Sequence, residues 1–174
     1  MHNNELHIYV CYARADNASP LRWFDRVKQQ LQPVVDAHAG ARLVELATGQ
    51  LIQPAEPWSQ TVQGPSDQGG LAILLLSAPL LGCAHVVHDE LPQLLHGHRS
   101  GSLTVVPLFV SPVARAGLRN FDFAGMASFG TPDRPLIAMS HVEQERALVA
   151  LADCVDDFLV QRQAGASRAE TQAQ

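Results

Sequence analysis

The side chains of this chain that are able to do chemistry fall into two short stretches. The first is "CYARAD" (residues 11 to 16), where Tyr12, Arg14 and Asp16 follow an apolar run. The second is "GCAHVVHDE" (82 to 90), which brings Cys83, His85, His88, Asp89 and Glu90 within one or two helical turns. A carboxylate beside imidazoles suits general acid–base work, stabilisation of a developing cation, or metal binding. Helical geometry argues against the metal: His96 lies eight residues beyond His88, about 12 Å along a helix axis, whereas one ion needs its ligands about 2 Å away. Ser77 ends an apolar run but lacks the glycines of a G-x-S-x-G nucleophile turn. Neither G-x-G-x-x-G nor G-x-x-x-x-G-K-S/T occurs, so no dinucleotide cofactor fold and no P-loop is indicated. Two readings of Glu90 stand. In "HDELPQLL" the buried face is marked by Leu91, Leu94 and Leu95, which leaves Glu90 free to point into a crevice; it also suits a solvated glutamate that favours the helix dipole.

The elements that would position these residues alternate between strand and helix. "LHIYVC" reads as a strand that stops at Tyr12, and "LRWFDRVKQQL" as a helix behind a Ser19 cap with Pro20 at its first position. "ARLVELA" (41 to 47) is a second strand, followed by a loop, Gly49 to Pro57, and a short helix at "EPWSQTVQG". "LAILLLS" is apolar almost without interruption, as central parallel strands are when both faces are covered. A helix from about Cys83 to His98, a strand over 102–110, an irregular stretch over 111–134 and a weak fifth strand "RPLIAM" follow. "SHVEQERALVALADCVDDFLVQ" is a helix with a capping box from Ser140 and Glu143. The composition shift at Gln163 reads as a tail or linker over 163–174 after a domain spanning 1–162. The expectation is an α/β fold: a flavodoxin-like five-stranded parallel sheet, order 2-1-3-4-5, with helices on both faces. Strands one and three are then neighbours, and the two chemical stretches face one crevice.

Composition narrows the partners. The 174 residues carry 12 basic and 17 acidic side chains, a formal net charge of -5, with no basic run; nucleic acid and anionic membrane are not the expected partners. Cys11, Cys83 and Cys154 are far apart and each sits in an apolar stretch, as buried free thiols in a reducing compartment do. The "MHNNE" start has neither a basic nor an apolar signal segment, and Ser77, Pro79, Gly82 and His85 interrupt the most apolar region, so the reading is cytoplasmic.

Taken in order, "IYVCYARADN", Trp58 behind a proline-containing loop, "ILLLSAPLL" with a glutamate thirteen residues after its serine, and "VVPLFV" resemble a bacterial Toll/interleukin-1 receptor (TIR) domain, from about Leu6 to Val160. "CYARAD" is similar to the family's Ser/Cys-Tyr-Ala-x-x-Asp, and Glu90 matches its catalytic glutamate. The chain departs from the family after strand two, where it has Glu45 and no Pro-Gly pair. It departs again before Glu90, where His85 or Val86 stands at the place of an aromatic. The resemblance implies cleavage of NAD+, as substrate and not cofactor, at its nicotinamide glycosidic bond. Tyr12, Ala13, Arg14, Trp58 and His85 would contact that substrate, and no metal is required. Trp58 equally suits a core anchor of its helix. The resemblance also implies a role in prokaryotic immune or stress signalling and activation by homotypic assembly through Gly49 to Pro57. The loop's Leu51, Ile52, Pro54 and Pro57 fit such a contact. A link to a sensor domain or protein, a cyclised product in place of ADP-ribose, and a purely non-enzymatic interaction module are the alternatives it leaves.

Overall fold

The computed structural model describes residues 5–48 and 69–172. β1 (Leu6–Ala13) leads through one helical turn, α1 (Arg14–Ala18), into α2 (Trp23–Asp36) and β2 (Ala41–Thr48). β3 (Gly70–Leu76) is followed by a single turn, α3 (Ala78–Leu81), a π-helical turn (Val86–Glu90) and α4 (Leu91–Ser100). β4 (Leu103–Phe109), a short α5 (Arg115–Leu118), a 3-10 turn (Leu136–Ala138) and α6 (His141–Gln172) complete the order. The strands form one parallel sheet, β2-β1-β3-β4. β1 runs in register with β2 from Leu6↔Ala41 to Ala13↔Thr48 and with β3 from Ile8↔Leu71 to Cys11↔Leu74.

Alternation along the strands divides the core. Ile8, Val10, Tyr12, Ile73, Leu75 and Leu108 pack with Val27 and Leu31 of α2 and with Leu148, Leu151 and Val155 of α6. Cys11, Ala13, Ala72, Leu74 and Val105 pack with Leu80, Val86, Leu91 and Leu94. Helices therefore cover both faces, and β3 is buried along its whole length, as its apolar run predicts. Among the described residues no helix is long and apolar enough to cross a membrane.

Three expectations are corrected. The segment 134–139 is not a strand: it holds the 3-10 turn, with Leu136 buried and Ile137 exposed. β4 is instead met at one point by Phe129, whose N–H donates to the Pro107 carbonyl (2.9 Å) and whose carbonyl accepts from Phe109 N–H (2.9 Å). Pro107 explains the brevity of that pairing, since its outward position offers a carbonyl but no N–H to a further strand. Gly130 follows the bridge at φ +66, where a Cβ would stand 2.9 Å from the Phe109 carbonyl oxygen. The second correction concerns α2, which begins at Trp23 behind a left-handed Arg22 (φ 45) and not at Pro20. Ser19 instead closes α1, its hydroxyl donating to the Asp16 carbonyl (2.9 Å). The third is α6, which is continuous past Gln163 to Gln172. Its capping box is present, with Ser140 N–H donating to Glu143 (2.9 Å) and Glu143 N–H to Ser140 Oγ (3.3 Å). The Ser140 backbone N–H, then Arg134 at 2.6 Å and the Ser140 hydroxyl at 2.9 Å, hold the Glu143 carboxyl down to about 2.

His38, just past α2, reaches α6 with both ring nitrogens, Nε2 to Asp156 (2.7 Å) and Nδ1 to Gln163 (3.1 Å). The Asp156 bond, then the Gln163 bond, raise its pKa above the ordinary 6.5. A raised folded value means the added stability is fully present below the unfolded pKa and is lost as pH rises through the folded one. The difference in unfolding free energy between wild type and His38→Ala, from urea denaturation, is therefore expected to be about 0.5–1 kcal/mol near pH 5.5 and to narrow as pH rises through the raised folded pKa. Gly130→Ala is expected to cost about 1–3 kcal/mol at all these pH values, because it strains the Phe129 bridge.

Candidate functional site

β1 and β3 end side by side, and a buried polar pair joins the segments that leave them. Ser77, fully buried after β3, donates its hydroxyl to Asp16 Oδ2 (2.5 Å) and accepts the Leu80 N–H (3.2 Å) that starts α3. Burial pushes the Asp16 carboxyl up, opposed by the Ser77 hydroxyl and the Ala13 backbone. Asp16 thus fastens the exits of β1 and β3 to one another and is not an open acid. The same Ser77 hydroxyl that joins the two exits caps the start of α3.

Glu90 closes the π turn that precedes α4. The Leu91 N–H reaches back five residues to the Val86 carbonyl, which widens the helix by one residue at this point. An α-helix would carry residues 85 and 90 about 140° apart; the wider turn brings them to one side. His85 Nε2 lies 2.9 Å from Glu90 Oε1, off the axis of a straight N–H bond, while its Nδ1 lies 2.8 Å from Asp89 Oδ2. The Glu90 side chain is only 2% exposed, whereas His85 and Asp89 are 55% and 58% exposed. Beneath, Cys11 of β1 is wholly buried, and its thiol is pushed up first by burial and then by the Glu90 charge. It stays protonated. Thr48 Oγ1, at the end of β2, lies 3.8 Å from Cys83 Sγ and ties the segment before the π turn to the sheet. The arrangement presents one buried carboxylate at the strand ends with an imidazole on its solvent side. It can accept hydrogen bonds from hydroxyls or stabilise a cation.

The predicted residues do not all meet here. Ala13 is buried on the Glu90 face of the sheet, but Tyr12 points to the other face. It stacks on Phe24 (4.5 Å between centroids, 9° between planes) and donates to Glu45 of β2. Burial first, then the Glu45 bond, raise its phenol. Tyr12 is thus a core residue that ties β1 to the edge strand β2, and its ring does not form a wall beside Glu90. Arg14 is exposed at the start of α1. Trp58 and the Gly49 to Pro57 loop lie outside the described residues. His98 accepts the Val105 N–H at Nδ1 (3.0 Å), a structural duty, and His96 is exposed on α4. The three cysteines are free thiols; Cys11 is buried, while Cys83 and Cys154 are half-buried. Cys11 and Thr48 are the neighbours that sequence reasoning missed, and Asp89, grouped there with the histidines, proves to be the second partner of His85. The alternation of β1 marks Cys11, and the four-residue step from His85 marks Asp89.

Comparison of the chain with protein-family models, with curated proteins and with solved structures finds no match. The Ser77–Asp16 corner supplies its own test. Ser77→Ala leaves the buried carboxylate short of a donor and uncaps α3, with an expected loss of about 1–3 kcal/mol in urea denaturation at pH 7.

Proposed function

We propose that this chain is a TIR-type NAD+ glycohydrolase in which Glu90 is the catalytic carboxylate. The observation that carries the reading is the placement of Glu90: a buried acid held by a π turn at the carboxyl ends of β1 and β3. Ligands of open parallel sheets bind at that end. The sheet is read as a flavodoxin-like one whose fifth position is reduced to the Phe129 bridge. Scission of the nicotinamide–ribose bond sends the bonding pair to the pyridinium nitrogen, so nicotinamide leaves neutral and needs no acid. The ribose gains oxocarbenium character, which a fixed carboxylate stabilises more in the transition state than in the ground state. Water then adds at the anomeric carbon and loses a proton, giving ADP-ribose; attack by the substrate's own adenine would give the cyclised product instead. Ala13 forms part of the crevice wall, and exposed Arg14 at its rim suits a phosphate.

The same reading gives Trp58 a stacking face, the Gly49 to Pro57 loop a contact with neighbouring copies, and the protein a cytoplasmic signalling role in prokaryotic immunity or stress, coupled to a sensor. The second reading, a non-enzymatic TIR module that binds other TIR domains, is favoured by one observation: His85, not a tyrosine or tryptophan, stands over Glu90. Nicotinamide release decides between them. Incubation with NAD+ is expected to release nicotinamide, with specific activity rising with protein concentration. Glu90→Gln is expected to reduce release by about 100-fold or more while leaving the fold intact. Undiminished release by the variant removes Glu90 from the mechanism. No release by concentrated wild type favours the interaction module.

A further inference from the structure

The resemblance makes His85 a substrate contact, yet both of its ring nitrogens already face carboxylates. One faces the buried Glu90 carboxylate at 2.9 Å and the other the exposed Asp89 carboxylate at 2.8 Å. A histidine held between two acids is oriented by both of them. More than half of its side chain is in solvent, while almost nothing of Glu90 is. The imidazole is therefore the solvent-side partner of a carboxylate that has little other access to solvent. The contact exists because of the π turn, which brings residues five apart onto one side.

We infer that His85 is a displaceable cover on Glu90, and that Asp89 is the positioning residue that holds the cover in place. A ligand reaches the carboxylate only by supplying a donor or a positive centre in exchange for Nε2. The chemical class that fits is a sugar with free hydroxyls next to a cationic substituent. A purely aromatic or anionic ligand offers nothing in exchange and is turned away. The inference rests on the glycohydrolase reading for the identity of the ligand but not for the cover itself. His85 is thus a specificity-determining residue that competes with substrate, and its ring is not a stacking surface.

The test uses the whole chain as wild type, His85→Ala, His85→Gln and Asp89→Asn. Without substrate, Glu90 is labelled by a water-soluble carbodiimide with glycine ethyl ester, and the extent is followed by peptide mass spectrometry. If the covered form predominates, labelling of Glu90 is expected to rise about five-fold or more in His85→Ala and less in Asp89→Asn. His85→Gln, whose side chain still covers the carboxylate and whose amide can donate to it, should stay near wild type. Unchanged labelling in His85→Ala overturns the cover.

With NAD+ the covered fraction acts as a tax on binding, so KM in His85→Ala should fall about three- to ten-fold with kcat kept within about two-fold. A fall in kcat at unchanged KM overturns the proposal, because it places the ring in the reaction. Increased labelling with no nicotinamide released by any variant upholds the cover and refutes the glycohydrolase reading.

Discussion

β3 has a strand on either side and helices over both faces, and none of its seven residues reaches water. A strand so placed must satisfy every backbone donor and acceptor within the ladders, since no solvent is there to substitute. That demand fixes β1 and β4 as its neighbours, and it requires each crossover to carry a helix over one face or the other. Gly70 shows how tight the arrangement is at its start: a Cβ there would stand 2.8 Å from the His7 carbonyl oxygen. With the middle of the sheet fixed, the strand ends form a rigid rim, and the polar side chains on that rim inherit its geometry.

What the rim does with them is economical. Ser77 and Asp16 fasten the exits of β3 and β1 to one another, and Tyr12 with Glu45 fastens β1 to β2 on the opposite face. Two residues that look like site candidates in the sequence are thus consumed in holding strand ends together. Glu90 differs from them. It comes from a helix, it is nearly as buried, and its immediate company is a protonated thiol below and an imidazole above. Burial of a carboxylate is costly, and the local widening of a helix to achieve it is a feature common at functional sites.

Legibility of the chain followed the strength of its local signals. The continuous apolar run of β3 and the Ser140–Glu143 cap are strong patterns, and both elements are where the pattern places them. The fifth strand was a short apolar run without alternation, and the argument against it lay in β4, where Pro107 cannot donate to a partner. The start of α2 depended on Arg22 adopting a left-handed backbone, which its residue type does not announce. The separation of Tyr12 from Ala13 was legible from the alternation of β1, because adjacent residues of a strand face opposite ways. The π turn was not: one inserted residue disappears within the scatter of a hydrophobic period sampled over two turns. It is nonetheless what sets His85 above Glu90.

Pro107 and Phe129 have a consequence for the behaviour of many copies together. An outer strand with a full row of open backbone groups is a template on which another chain can grow. β4 lacks that row: one position has no N–H to give, and the groups flanking it are already taken by Phe129. The sheet therefore carries its own terminator on this side, made from a proline and one backbone bridge and not from charge. Strand addition is blocked at this edge, so copies that come together must meet through other parts of the surface.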